Sequence, residues 1–284
     1  MKTVLLTGSS GFVGRNILPI LEKKYNVLAP KRAELNLIDK KSVDEYFQKH
    51  KIDVVINCAA ANPAKNELDK PENFENDIIL AFENLAIHCN KYEKMLYLGS
   101  GADLDKRFEM VDIKEVDFNR SIPENPYAIA KYKITQKILK SNNIYNLRIF
   151  GCYGPTDAKS KFIRDAIDCC LENRAITIRQ NCMFDYMYVE DLAYIMAWFI
   201  ENEPKYHDYN VATGEAISLL DIAKIVAHQM ENNREIEIKN EGWNLAYCAN
   251  NQRLLDEFDF KFTSIEEGIK KQIEWQVGEL TNAN

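Results

Sequence analysis

A phenol and a primary amine one helical turn apart can together handle a proton on a bound substrate. The segment "NPYAIAKYK" at 125–133 supplies such a pair in Tyr127 and Lys131. A free phenol near pKa 10 is a sluggish base. Tuning it by about 3 units takes roughly 4 kcal/mol, from a cation close by in a low-dielectric site. Spacing alone leaves both a proton-transfer device and coincidence open. In a chain of 284 residues with 14 tyrosines, a Lys four places after a Tyr is expected about once by chance, and it occurs once. Any meaning must come from where the pair sits.

A second chemical signal is the loop "TGSSGFVG" at 7–14, where Gly8, Gly11 and Gly14 are spaced G-x-x-G-x-x-G. A tight turn needs the freedom of Gly8, and a pyrophosphate needs close approach near Gly11. Gly14 lets the following helix lie against the sheet, and the helix start offers N–H groups to an anion. The loop is expected to bind a dinucleotide through Gly8, Ser10, Gly11, Phe12, Val13 and Gly14, with Ala59 at the end of the third apolar run. The second run ends in "LAPKRAELNL" (28–37), with no acid at its tip and with Lys31 and Arg32 side by side. An acid there would hold the ribose hydroxyl of NAD, whereas cations suit a 2′-phosphate. The pair predicts NADP(H) ahead of NAD. Arg15 is either a further contact or an ordinary surface residue.

These residues need a scaffold. Strands are expected at 3–8, 25–30, 53–60, 95–100 and 145–151, with helices near 11–24, 40–50, 73–90 and 127–141. Nearly continuous apolar strands separated by helices predict a parallel sheet covered on both faces, hence a doubly wound α/β fold. After 151 the rhythm changes. Short strands at 175–180, 209–214 and 235–240 and helices near 160–173, 218–231 and 264–276 predict a smaller mixed α/β lobe. The expected division is 1–151 for the dinucleotide, with 185–203 returning to it, and 152–184 with 204–284 for the substrate.

The net charge of −7 and pI near 5.3 argue against nucleic acid or an anionic membrane surface as partner. The seven cysteines are scattered with no CxxC, which predicts reduced thiols and no metal site. An apolar strand near Met1 fits no signal peptide, and no apolar run is long enough to span a bilayer. A cytoplasmic protein is expected.

"TGSSGFVG", "DVVINCAA", "LGS" and "YAIAK", followed by "RIFGCYGP" (148–155), "DYMYVEDLA" (185–193) and "SIEEGIKKQIEW" (264–275), resemble the extended short-chain dehydrogenase/reductases, which act mainly on nucleotide-linked sugars. The resemblance runs along most of the chain and implies a Rossmann fold. It implies that Tyr127 handles the proton on the sugar oxygen. Lys131 would hold the nicotinamide ribose and lower the Tyr127 pKa, and Ser100 would hydrogen-bond the reacting oxygen. Segment 29–60 is similar to GDP-fucose synthases, which are NADPH-dependent 4-keto sugar reductases. Those enzymes also epimerise, with a Cys two places after the Ser and a His in the cap. Here Ala102 stands at the first place, and Lys161 or Phe162 near the second, so simple reduction is expected. Glu124 and Asn125 do not form the Asp-Glu doublet of dehydratases. An Arg common in the family is Phe184 here, which leaves Arg179 or Arg253 for the diphosphate. The expected activity is reduction of a 4-keto, 6-deoxy nucleotide sugar, with an NAD-dependent 4-epimerase as the alternative. Family members often pair as homodimers, with the helices near 73–90 and 127–141 as candidates.

Overall fold

The computed structural model describes residues 1–60, 71–233 and 235–283. Its first half runs β1 (Thr3–Thr7), α1 (Phe12–Leu21), β2 (Asn26–Leu28), α2 (Lys40–Lys49), β3 (Val54–Asn57), α3 (Phe74–Ala86), β4 (Lys94–Ser100), β5 (Met110–Ile113), α4 (Pro126–Ile138) and β6 (Ile144–Ile149). Then follow β7 (Gly151–Tyr153), α5 (Phe162–Leu171), β8 (Thr177–Asn181), β9 (Met183–Tyr188), α6 (Asp191–Glu201), β10 (Asp208–Val211) and β11 (Ala216–Ser218). The chain ends with α7 (Leu219–Gln229), β12 (Glu237–Trp243), β13 (Tyr247–Ala249), α8 (Gln252–Leu255) and α9 (Ile265–Ala283).

The main sheet has the order β10-β6-β4-β3-β1-β2, and every neighbouring pair is parallel. Successive strand side chains point to opposite faces, and here both faces are apolar. Leu6, Ile56 and Leu96 meet Ile17 of α1 and Ile195 and Phe199 of α6. Leu5, Val55 and Met95 meet Phe47 of α2, Phe82 of α3 and Ile134 of α4. This is the doubly wound α/β arrangement expected from the continuous apolar runs. α6 packs on this sheet, whereas residues 185–188, expected to return with it, lie in β9 of a second sheet. From β1 the chain moves outward to β2, then back past β1 to β3. That reversal opens a crevice at the carboxyl ends of β1 and β3, where ligands of such sheets bind.

Two short segments exchange places relative to the expected division. β10, assigned from the sequence to the smaller lobe, pairs with β6 and forms an edge of the main sheet. Tyr209 and Val211 are fully buried there, and Tyr209 packs edge-on against Phe199. Conversely β5, from the first half, joins β13 in a second sheet of order β11-β9-β13-β5, with β7 on β9. Strands of three or four residues carry too few side chains for their pattern to name the sheet they join. The remaining pair, β12 with β8, lies near α5, α7 and α9, whose Ile167, Val226 and Ile269 share a third core. No helix among the described residues is long and apolar enough to cross a membrane.

Candidate active site

Local sequence places Tyr127 at the start of α4. Asn125 caps the helix, its side-chain oxygen accepting from Tyr127 N at 3.0 Å and Ala128 N at 3.4 Å, and Pro126 takes the first helical position. Tyr127 is thus fixed in the first turn, and Lys131 follows one turn later on the same face. Ser100 is the last residue of β4 and caps the short 3₁₀ turn Gly101–Leu104, accepting from Ala102 N at 3.2 Å. The Ser100 hydroxyl lies close enough to the Tyr127 phenol to lower its pKa. Lys131 Nζ lies 5.6 Å from the centre of the Tyr127 ring and 4.3 Å from that of Tyr97. Three residues from two elements, β4 and α4, therefore meet at the carboxyl edge of the main sheet.

Their protonation departs from the expectation. Burial raises the Tyr127 phenol above its ordinary value; the nearby Ser100 hydroxyl opposes this, and the charge of Asp103 adds to it. Lys131 is 3% exposed, and desolvation pushes its amine down to about 7, against the raising effects of Asp103 and Cys58. The ammonium was expected to acidify Tyr127. Burial instead weakens that charge and keeps the phenol protonated.

The glycine loop joins β1 to α1 across the end of β3. Gly8 has φ +71, and a Cβ there would come within 2.7 Å of Ala59 N. A Cβ at Gly14 would collide with the carbonyl oxygen of Gly8, so α1 can approach the loop this closely only with glycine there. No side chain caps the first turn of α1. A cavity of about 620 Å³ opens here, lined by Gly8, Ser10, Gly11, Phe12 and Ala59 and reaching Lys31 and Arg32 beyond β2. Val13 points the other way, packing on the main core. Arg15 also lines the cavity and donates to Ser10 O at 3.0 Å. Asn16 of α1 bonds Pro155 O at 2.8 Å, which ties the "YGP" turn to this loop. Backbone cradle and helix start together fit the pyrophosphate of a nicotinamide dinucleotide, and Lys31 and Arg32 line the same cavity.

A family model described as the NAD dependent epimerase/dehydratase family matches residues 4–212. The chain belongs to this family. Within it, the protein is 24% identical over 305 residues to GDP-L-colitose synthase of Yersinia pseudotuberculosis, covering 98% of this chain and 99% of that one. It is 25% identical over 258 residues to GDP-L-fucose synthase of Escherichia coli (strain K12), covering 80% of each. To dTDP-D-glucose 4,6-dehydratase of Dictyostelium discoideum it is 27% identical over 79% of its own length, spanning 61% of that relative. The solved structure of GDP-mannoheptose C4 reductase from Campylobacter jejuni with NADP bound matches with a TM-score of 0.83 at 17% identity, over 97% of this chain and 98% of that one. UDP-glucose 4-epimerase of Thermotoga maritima with UDP-glucose matches with a TM-score of 0.83 at 19% identity, over 98% and 99%. These likenesses establish a shared fold.

In this epimerase/dehydratase-family chain the two arginines expected at a diphosphate have different surroundings. Arg179, on β8, is exposed and lines a separate cavity of about 610 Å³ with Asp165, Gln180, Asn240 and Asn244. Arg253 is engaged within the protein instead: Nη1 donates to Asp208 Oδ1 at 2.6 Å, and Nε lies 3.6 Å from Glu115 Oε2. A buried network continues from there to the site. Asp208 faces Arg148 at 3.4 Å, and Arg148 Nε donates to Asp103 Oδ1 at 2.8 Å. Asp103 also accepts from Thr135 Oγ1 at 2.8 Å, and burial raises its carboxyl despite these partners.

Two residues that no sequence motif singles out stand beside Ser100. The Tyr247 hydroxyl on β13 lies against Gly101, next to Ser100, and burial holds its phenol far above the ordinary range, with Ser100 acting to lower it. Lys106 Nζ lies 3.8 Å over the Tyr247 ring, its amine lowered to about 8 by desolvation and by the charge of Lys161. The segment "NLAYCAN" around Tyr247 offers one signal, a short apolar run that reads equally as loop.

Proposed function

We propose that this protein is an NADPH-dependent reductase of a 4-keto, 6-deoxy nucleotide-diphosphate sugar. The observation that carries this reading is the placement of Tyr127 and Lys131 on one face of α4 beside Ser100 at the end of β4. Lys131 Nζ donates to Leu98 O at 2.6 Å and lies 5.6 Å from the centre of the Tyr127 ring, and burial raises the phenol above its ordinary value. A reduction needs an acid at the carbonyl oxygen, and a high-pKa phenol still donates readily to an alkoxide, which is more basic. The bound nicotinamide supplies the hydride. Ser100 hydrogen-bonds the ketone oxygen and holds it beside Tyr127, which delivers the proton as the C=O becomes CH–OH. Lys131, held to Leu98 O at 2.6 Å, would be the residue of α4 that holds the cofactor ribose.

NADP rather than NAD is supported by Lys31 and Arg32 at the far end of the 620 Å³ cavity. Relatives named GDP-L-colitose synthase and GDP-L-fucose synthase, and the C4 reductase with NADP bound, support a keto nucleotide sugar as substrate. Arg179 is the better-placed of the two candidate arginines for a phosphate, since Arg253 is engaged by Asp208 and Glu115. The proposed homodimer pairs α3 and α4. They are linked by Lys133–Glu75 and Lys137–Glu83 and leave Ile87 and Leu139 exposed.

The test mixes purified protein and NADPH with 4-keto sugars carrying GDP, dTDP, CDP or UDP, and follows absorbance at the reduced nicotinamide band. Oxidation with at least one of them is expected. Silence across the panel overturns the reading. Stoichiometric NAD released on denaturing the protein as purified assigns the 4-epimerase instead.

A further inference from the structure

Tyr127, Lys131 and Thr135 follow one another at steps of four along α4, so all three share one face of the helix. Thr135 is fully buried, and so is Asp103 in the 3₁₀ turn that Ser100 caps. Thr135 Oγ1 donates to Asp103 Oδ2 at 2.8 Å and accepts from Asn146 Nδ2 of β6 at 3.0 Å. A threonine oxygen that accepts from Asn146 still has its own proton to give, and the Asp103 carboxylate can only accept. Gly99 of the neighbouring strand β4 leaves the room for this arrangement: a Cβ there would collide with the Asn146 side chain.

Asp103 is anchored on its other side as well. Arg148 Nε of β6 donates to its Oδ1 at 2.8 Å, a charge-assisted bond between two fully buried groups. The face of α4 that carries Tyr127 is thus tied to the chain at two points that bracket Ser100. Lys131 bonds Leu98 O, before the serine, and Thr135 bonds Asp103, after it. One tie alone would let the helix pivot about it. Two ties fix both where the helix stands and how it is rotated.

We propose that Thr135 is a positioning residue: its hydrogen bond to Asp103 is the second tie, and it sets how far the Tyr127 phenol stands from the Ser100 hydroxyl. Being fully buried in the protein, Thr135 acts through these two residues and touches neither nucleotide nor sugar. The Lys131 tie is left in place when Thr135 is changed, so the cofactor side of the site is held independently. The inference rests on the reading of Ser100 and Tyr127 as the groups at the reacting oxygen and adds the residue that spaces them.

Thr135→Val keeps the branched shape and removes the hydroxyl. Its kcat is expected to fall about 10- to 100-fold, the cost of misplacing a reacting group by up to about 1 Å, with the NADPH KM within about twofold of wild type. Thr135→Ser retains the hydroxyl and should keep kcat within about threefold of wild type. In a Ser100→Ala background Thr135→Val should cost little further rate, because the group whose distance it sets is gone. A Thr135→Val kcat within about twofold of wild type overturns the proposal. So does an equal loss in Thr135→Ser, or an equal loss in both backgrounds. Crystal structures of wild type and Thr135→Val without substrate test the tie apart from any reaction. The Ser100 Oγ to Tyr127 Oη distance should change by more than about 0.5 Å, the tolerance of a productive site. An unchanged distance overturns the positioning role. If wild type reduces no 4-keto nucleotide sugar, the functional reading fails, while the two structures still decide what Thr135 does.

Discussion

Lys131 donates from Nζ to the carbonyl oxygen of Leu98 at 2.6 Å, so the helix that carries Tyr127 is pinned to the strand that ends in Ser100. The bond buries an amine, and the amine responds by dropping from 10.5 to about 7. Position and charge are thereby traded against each other. The contact that aligns the site also weakens the cation.

This trade gives a signed pH dependence. Between about 7 and 10.5 the unfolded chain holds the Lys131 proton and the folded chain does not. Stability therefore rises with pH across that window, by a total on the order of 5 kcal/mol. Below about 7 both states are protonated and the full burial cost is present. Above 10.5 both are neutral and the cost is gone. Lys131→Met should lack this rise. Urea unfolding of both proteins from pH 6.5 to 10 measures it, and a constant difference between them would contradict the buried amine.

Tyr127→Phe should lower kcat by about 10²–10⁴-fold, the usual contribution of a positioned acid. NADPH affinity should stay within about twofold of wild type. Because burial raises the phenol from its ordinary value, the wild-type rate should lose little to its ionisation below about pH 9. A decline centred near pH 8 in wild type, absent from a solvent-exposed control reaction, would count against Tyr127 as the acid.

Lys31→Ala and Arg32→Ala should each weaken NADPH by about fivefold, equivalent to about 1 kcal/mol per charged contact. NADH affinity should change by less than about twofold, because it lacks the phosphate. Fluorescence titration of both nucleotides at low and high salt separates the two effects. Equal losses for NADPH and NADH would mean that the pair does not read the phosphate.

Asp103→Asn should destabilise the fold by about 3 kcal/mol, at the lower end for breaking a buried ion pair. Arg148 is fully buried and would lose one of its two facing carboxylates, keeping Asp208, Asn210 and a neutral amide oxygen at position 103 as acceptors. Chemical denaturation at neutral pH measures the loss. A variant as stable as wild type would show that Asp208 neutralises Arg148 unaided.

Much of this molecule is local and so was legible in the chain. The capped "NPYAIAK" turn, the three glycines and the paired apolar faces of Leu5 and Leu6 are set by neighbours within a few residues or by strict periodicity. Those features determined the helix bearing Tyr127 and Lys131, the cradle at Gly8 and the parallel sheet. Tertiary structure decided what depends on distant chain. It sent β10 to the main sheet and β5 to the second, and it engaged Arg253 with Asp208 and Glu115. It also brought Tyr247, 147 positions after Ser100, against Gly101 at the end of β4. The pKa of Lys131 belongs to the same class, because desolvation depends on everything packed around a group and spacing along the chain carries no record of it.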